Sequence, residues 1–484
     1  MSALLGIYLI ALSIVLVLII RADAIAGRCQ LVSIRNLFIG GLILFQTVSG
    51  SLTLISGFTE IGAEVPSYLV PGSLFCLVLT AFIVIFLSTY RRAEWVERFA
   101  IRRTRIRVSS KTRLVIAGLV LTGIGCALRF GGERIPYVAV LLPQIAAGCI
   151  CGGAILIAIA WARSSWNIVV LLNLLVACGA GGAALLVGAF GRRELLGLMI
   201  AVAWGLYQEK WCKMPVTRLL PRATLALTVA LAGFTVFSAS RVSGENVDRS
   251  LAQQVQRFFE IDPKALEEMT IASLSGQFAG GISMWIIDER LNAGGYTPLH
   301  SFVYLATMPV PRDYWPDKPV GLGMIAVDEA GITGVSEGHS WGPGLVGHLW
   351  HDIALFSTPL YAVLLAFAFR YMDSRTVWST NDPIAVAMFG SALGQVIGMP
   401  RGDIGLFMFN LLSAFLGVWF FGRLIGYALL PIDRDAEWEW REQAESGDDG
   451  DATEHDGYGA QHAYAGDDAD TADAAPVPEE SRRG

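Results

Sequence analysis

The sequence predicts an all-α, polytopic integral membrane protein with about eleven transmembrane helices and one long extracytoplasmic loop. Three observations carry this. Of 484 residues, 54% are hydrophobic and only 16% charged, with a mean hydropathy of +0.53; soluble domains carry roughly 25% charged residues. The apolar residues gather in runs near the roughly 20 residues a spanning helix needs. The intervening segments alternate in basic charge, as the positive-inside rule requires.

In chain order, the expected spans cover about 3–20, 37–57, 68–90, 114–130, 136–161, 167–190, 195–211, 223–240, 351–371, 384–400 and 403–430. Residues 3–20 precede no small-residue cleavage site, so they are expected to form a first transmembrane helix rather than a removed signal peptide. Segments 37–57, 195–211 and 384–400 are the most polar or shortest of the set. Nine Lys and Arg side chains between 91 and 113 assign that connection to the cytoplasm. Arg21, Arg28 and Arg35 then also fall inside, as do Lys210, Lys213, Arg218 and Arg222. The connection at 58–67 carries no Lys or Arg and falls outside.

This alternation divides the chain into helices one to eight (1–240), an extracytoplasmic loop (241–350), helices nine to eleven (351–430) and a cytoplasmic tail (431–484). The loop is expected to hold short amphipathic helices on the outer leaflet, at 264–275 and from Gly281 to Leu291. Residues 433–484 carry 17 acidic and 4 basic side chains, so the net charge of −6 belongs to the tail and the membrane part is basic. Rich in Asp, Ala and Gly, the tail cannot bury enough apolar surface to offset ordering entropy and is expected to be disordered. None of the seven cysteines lies in 241–349, so no disulfide framework is expected there.

The loop contains the most constrained segment of the chain, Pro309-Val310-Pro311-Arg312-Asp313-Tyr314-Trp315-Pro316-Asp317-Lys318-Pro319. Four prolines in eleven residues exclude a regular helix or central strand. Arg312 and Lys318 suit phosphate contacts, a guanidinium as a bidentate donor and an ammonium as a point charge. Trp315 offers a flat face for a sugar ring. Arg290 and Arg401 are further cations expected on the same side, Arg401 directly after Gly398-Met399-Pro400. An anionic headgroup joined to something with flat apolar faces, such as a lipid-borne sugar diphosphate, fits this set.

Histidine placement is the second clue. Four of the six (His300, His339, His348, His351) lie in the loop or where the chain re-enters the membrane. Histidine is the general base suited to neutral pH. His348 and His351, three apart on one helical face, are the expected catalytic pair together with Arg312. No H-E-x-x-H or cysteine partner accompanies them, so no metal and no cofactor are expected. The phosphate-cradling, dinucleotide-binding and G-x-S-x-G motifs are absent in any usable context, which argues against an ATPase or a serine hydrolase.

Pro311-Arg312, Trp315-Pro316 and Lys318-Pro319, followed by Gly342-Pro343-Gly344-Leu345-Val346-Gly347, resemble segments of the oligosaccharide repeat-unit polymerases, the Wzy-type O-antigen polymerase family. In that family a glycine-acidic pair follows, where this chain has Gly347-His348. The resemblance covers roughly residues 300–355 and the overall topology. It implies a lipid-phosphosugar-dependent membrane glycosyltransferase, polymerising lipid-linked repeat units for O-antigen, capsule or exopolysaccharide. The implied substrate is a polyprenyl-diphosphate-linked oligosaccharide, with membrane lipid, a chain-length regulator and a flippase as partners and no nucleic acid. His348 or His351 would be the base; Arg312, with Lys318, Arg290 or Arg401, would meet the diphosphate. A glycan ligase, a glycolipid transporter or flippase, and a structural scaffold remain alternatives. The eight-to-three split of helices speaks against the internal symmetry of many transporters.

Overall fold

A computed structural model describes residues 1–60, 62–101, 105–107, 109–132, 140–164, 167–186, 191–215, 217–219, 221, 222, 224, 228, 278–332, 340–378 and 382–438. Among these the chain is helical, apart from one β-bridge between Arg107 and Ile432. The first half forms α1 (Ser2–Ile25), α2 (Ile34–Leu42), a π-helical turn (Ile43–Val48), α3 (Ser49–Ser56), α4 (Leu69–Arg92), α5 (Glu94–Ile101), α6 (Lys111–Gly131), α7 (Leu142–Arg163), α8 (Ile168–Leu186) and α9 (Gly191–Glu209). The second half forms α10 (Ala279–Ala293), α11 (His300–Thr307), α12 (Leu322–Glu329), α13 (Gly344–Ile353), α14 (Ser357–Trp378), α15 (Pro383–Gly390), α16 (Leu393–Gly398) and α17 (Ile404–Leu429).

Eight helical stretches among the described residues are long and apolar enough to cross a membrane: α1, α2–α3, α4, α6, α7, α8, α13–α14 and α17. The chain is therefore a multi-pass membrane protein. These match eight of the eleven expected spans. Segment 195–211 is helical, as part of α9, but is not among the eight. Segment 384–400 becomes two short helices, α15 and α16, separated at Ser391 and Ala392. Segment 223–240 lies largely outside the described residues, and the helix expected at 264–275, His339 and the acidic tail beyond 438 lie wholly outside them.

Side-chain caps set several helix starts. The Ser33 and Ser110 hydroxyls accept the Asn36 and Arg113 N–H groups, while Asp382 and Asp403 cap α15 and α17. Each satisfies donors that a helix start otherwise leaves unpaired. α7 is the central pillar, with nearly every side chain buried. It packs against α6 through small residues: a Cβ on Gly118 would lie 2.7 Å from the Gly153 carbonyl, and one on Gly125 2.8 Å from that of Ala146. Small residues at such crossings let backbones approach where lipid offers no hydrophobic driving force. Leu412, Leu416, Trp419 and Leu424 of α17 and Leu172 and Val176 of α8 point outward, as expected of lipid-facing surfaces.

At the end of the bundle away from α10–α12, buried polar groups pin four helices. Asp373 of α14 accepts from the Ile34 and Arg35 N–H groups (2.6 and 3.1 Å) and the Tyr90 hydroxyl (2.8 Å). Arg35 pairs with Asp23 of α1 at 2.9 Å. Arg91 of α4 reaches the same carboxylate at 3.2 Å.

α10 differs from its expected position on the leaflet surface. Met284 and Ile287 are fully buried and Trp285 nearly so. Glycine explains the difference: a Cβ on Gly280 would lie 2.6 Å from the Gly50 Cα, so α10 crosses α3 backbone to backbone. Trp285 then meets Trp341 edge to face, ring centroids 5.4 Å apart, in a small second core with Leu322 and Val327. That core seats α12 and the connection before α13 over the bundle.

Candidate functional site

α13 brings His348 and His351 into one buried cluster with His300. The helix starts at Gly344, whose φ of +71° suits a residue without Cβ; a side chain there would lie 2.6 Å from the Ser283 hydroxyl. Its first N–H groups donate outside the helix, Gly344 to the Arg401 carbonyl (2.9 Å) and Leu345 to that of Pro400 (3.0 Å). The helical stretch thus begins at Gly344 rather than near residue 351, and His348 and His351 lie in its first short helix, α13. It is broken after Ile353, where Ala354 adopts φ +51°. Leu299, immediately before His300, adopts φ +58°. Such backbone costs of order 1–3 kcal/mol per residue and concentrates at functional sites.

Each imidazole has a distinct setting. His348 is fully buried: its Nδ1 meets the Ser301 hydroxyl at 2.8 Å, and its Nε2 accepts the Ile404 N–H at 3.3 Å, with Asp403 Oδ1 at 3.8 Å. A neutral ring with an accepting Nε2 carries its proton on Nδ1 and donates to Ser301. His351 Nδ1 accepts from Arg290 Nε at 3.0 Å, which assigns its proton to Nε2. Neither His300 Nε2 nor His351 Nε2 has a hydrogen-bond partner among the described residues. Burial pulls His300 below the ordinary histidine value, opposed by the nearby Asp403 carboxylate.

Carboxylates brace the cluster. Asp403 sits at two helix starts at once: Oδ1 accepts from Gly405 and Leu406 of α17 (3.1 and 3.4 Å), and Oδ2 from Leu322 of α12 (2.8 Å). Burial pushes its carboxyl up, while those N–H groups and His300 hold it down. The neighbouring Asp352 accepts from the Tyr361 hydroxyl through Oδ2, and its Oδ1 has no hydrogen-bond partner among the described residues. Arg290 makes a two-oxygen pair with Glu329 (2.6 and 2.7 Å) besides its bond to His351.

The proline segment stands next to this cluster. Tyr314 and Trp315 N–H groups donate to the Pro311 carbonyl, and Arg312 reaches the Pro316 carbonyl at 3.0 Å. Arg312, Tyr314 and Trp315 are exposed. Lys318 is buried: its ammonium donates to the Val310 carbonyl at 2.7 Å, and burial lowers its affinity for the proton. It therefore braces the segment. Tyr304 links segment to cluster, lying parallel to His300 with centroids 6.3 Å apart and within the electrostatic reach of both Arg312 and Asp403.

Of the residues the sequence points to, His348, His351 and Arg290 lie in the buried cluster, and Arg312 approaches it through Tyr304. Trp315 stands on the exposed rim. Arg401 holds the start of α13 through its backbone carbonyl. Ser301, Asp352, Tyr361, Asp403 and Glu329 belong to the cluster without having been singled out. One signal was readable: Asp403 is an acidic residue immediately before a long apolar run, the N-cap pattern.

No family model, curated protein or solved structure matches the chain.

Proposed function

We propose that the chain is a membrane glycosyltransferase that polymerises lipid-linked oligosaccharide repeat units. It would act on the extracytoplasmic face of the cell membrane, with the long loop outside and the acidic tail in the cytoplasm. The donor is a glycan on a polyprenyl diphosphate and the acceptor a second lipid-linked unit. The observation that carries the reading is an exposed, rigidly framed guanidinium, Arg312, within the electrostatic reach of Tyr304, which lies parallel to His300 of a buried cluster of three histidines.

In the reaction an acceptor hydroxyl attacks the anomeric carbon of the donor. The bond from that carbon to the diphosphate oxygen breaks, the electron pair leaves with the lipid diphosphate, and the hydroxyl proton passes to a base. Arg312 meets the charge developing on the leaving group, the most productive place for a fixed cation. In the same proposal Trp315 stacks on a sugar ring.

Among the histidines, His300 Nε2 has no hydrogen-bond partner among the described residues, and in the proposed reaction it takes the proton. A positioned base contributes about 10²–10⁴-fold. His351 Nε2–H beside it orients the acceptor oxygen, and Arg290 fixes that tautomer. His348, with both ring nitrogens engaged, positions Ser301 and the start of α17. Membrane lipid, a chain-length regulator and a flippase are the partners this role calls for.

Deletion of the gene followed by electrophoresis of surface polysaccharide tests the reading. Single repeats without a ladder are expected; an unchanged chain-length distribution rules it out.

A further inference from the structure

At the end of the bundle away from α10–α12, one buried carboxylate serves three guanidiniums. Asp23, in the last turn of α1, meets Arg35 at 2.9 Å, Arg91 of α4 at 3.2 Å and Arg28 at 3.8 Å. Arg35 is buried with it and also donates to the Asn36 amide oxygen. Arg28 and Arg91 are open to the surroundings, their side chains 68% and 47% exposed. Even with the Asp373 carboxylate counted against Arg35, the three arginines keep one positive charge in excess.

The two exposed guanidiniums have donors to spare. Arg28 approaches Asp23 beyond hydrogen-bonding distance, and its side chain donates no hydrogen bond among the described residues. Arg91 donates through Nη2 alone among those residues. Both face the same oxygen, Asp23 Oδ1, so their nearest nitrogens are no farther apart than 3.8 and 3.2 Å laid end to end. Two oxygens of one phosphate, each accepting a charge-assisted bond of about 2.8 Å, bridge such a gap.

Apolar surface leads to the same pair. α1 exposes Leu18 and Ile25, and α4 exposes Leu77 and Val84. Each of these pairs is two turns apart on its helix, and Arg91 follows Val84 at the same spacing, on the same face. The two helices touch, the Tyr8 hydroxyl meeting that of Thr80 at 2.6 Å. An acyl chain fits this approach, whereas a water-borne anion has no use for it.

We propose that an anionic phospholipid binds here, its phosphate bridging Arg28 and Arg91 and its acyl chains lying against α1 and α4. The planar guanidinium fork matches phosphate geometry, and basic pockets between membrane helices take anionic headgroups. The ammonium of a zwitterionic headgroup would instead bring more positive charge to a site already in excess. The bound lipid ties α1, largely exposed along its length, to α4. This inference does not rest on the proposed reaction.

The test uses the purified full-length protein in nanodiscs of phosphatidylcholine, with or without phosphatidylglycerol. Native mass spectrometry counts the retained lipid, and thermal unfolding is followed in parallel. Wild type is expected to retain phosphatidylglycerol over phosphatidylcholine and to melt several degrees higher when it is present. Arg28→Gln is expected to weaken that retention about tenfold, the scale of losing one bond to a charged group, and to lose most of the shift. Its melt in phosphatidylcholine alone should match wild type. Arg28→Lys should keep part of the retention, and Arg113→Gln, at an exposed cation of α6, should keep all of it. No preference in wild type or undiminished retention in Arg28→Gln overturns the inference. An equal loss in Arg113→Gln also overturns it, because diffuse attraction to basic charge would then account for the binding. Inorganic phosphate added to phosphatidylcholine nanodiscs should leave the melt unmoved; a matching shift would make this a free-anion site and overturn the lipid assignment.

Discussion

His300 and His351 stand edge to face, ring centroids 5.3 Å apart and planes at 87°, each with a buried Nε2 that has no hydrogen-bond partner among the described residues. The Arg290 bond puts an N–H on His351 Nε2, and the proposed reaction needs the lone pair of His300 Nε2. Loss of the lone pair is the more damaging. His300→Gln is expected to lower polymerisation about 10²–10⁴-fold, with His351→Gln milder because its amide still donates. Equal activity of His300→Gln and wild type in a complemented deletion strain would remove His300 as the base.

The same burial fixes a pH dependence. His300 is held below the ordinary 6.5 in the folded protein. Between the two values the unfolded chain binds more protons, so falling pH destabilises the fold. The stability from neutral His300 is complete above about pH 6.5 and declines as pH drops below it. Melting temperature should therefore be flat from pH 7 to 8 and fall on acidification, and His300→Gln should remove part of that fall. Melting of the purified protein across pH 5–8 checks this; an identical slope in both proteins contradicts it.

Arg312 is exposed, with a hydrogen bond to the Pro316 carbonyl, so its removal should spare the fold. Arg312→Ala is expected to cut activity about 10²–10³-fold, the scale of removing one preorganised donor from a developing anion. Arg312→Lys should recover part of it, since a point charge remains without the bidentate fork. Ladder intensity, read beside membrane protein level, separates loss of chemistry from loss of protein.

Asp403 needs both oxygens as acceptors, one for α17 and one for Leu322. Asp403→Asn supplies one acceptor and turns an amide N–H toward the other donor. It should destabilise by about 1–3 kcal/mol, the cost of a buried group left unsatisfied. Thermal unfolding measures it. An unshifted melt would mean that α12 and α17 do not depend on this carboxylate.

The Arg290–Glu329 pair is asymmetric, with Arg290 4% and Glu329 31% exposed. Arg290→Met leaves the glutamate partly solvated and frees His351 Nδ1. A loss of about 1–3 kcal/mol is expected, with a coupling of about 0.5–3 kcal/mol to Glu329→Gln in a double-mutant cycle. Strict additivity of the two substitutions would show that the pair acts as separate residues.

Much of the bundle was legible because membrane spans and helix caps are local signals. The eight apolar stretches follow from residues within a few positions of each other; the caps at Ser33, Ser110 and Asp382 are equally local but were not singled out in the sequence. What stayed hidden is long-range or conformational. His348 meets Asp403 across 55 positions, and Arg290 meets Glu329 across 39. The break at Ala354 left no mark, since alanine favours continuing a helix. The stretch from Gly281 to Leu291 read as a surface helix because Met284, Trp285, Ile287 and Leu291 give it an amphipathic pattern. Gly280 and Gly281 instead admit it to the bundle, where Glu329 and His351 engage Arg290.

The most direct measurement supplies purified protein in liposomes with synthetic polyprenyl-diphosphate-linked repeat units and follows both products. The account predicts lengthening of the lipid-linked glycan, with one polyprenyl diphosphate released per new glycosidic bond, and loss of both in Arg312→Ala. Translocation of the lipid-linked unit across the bilayer with no lengthening and no released diphosphate would contradict it.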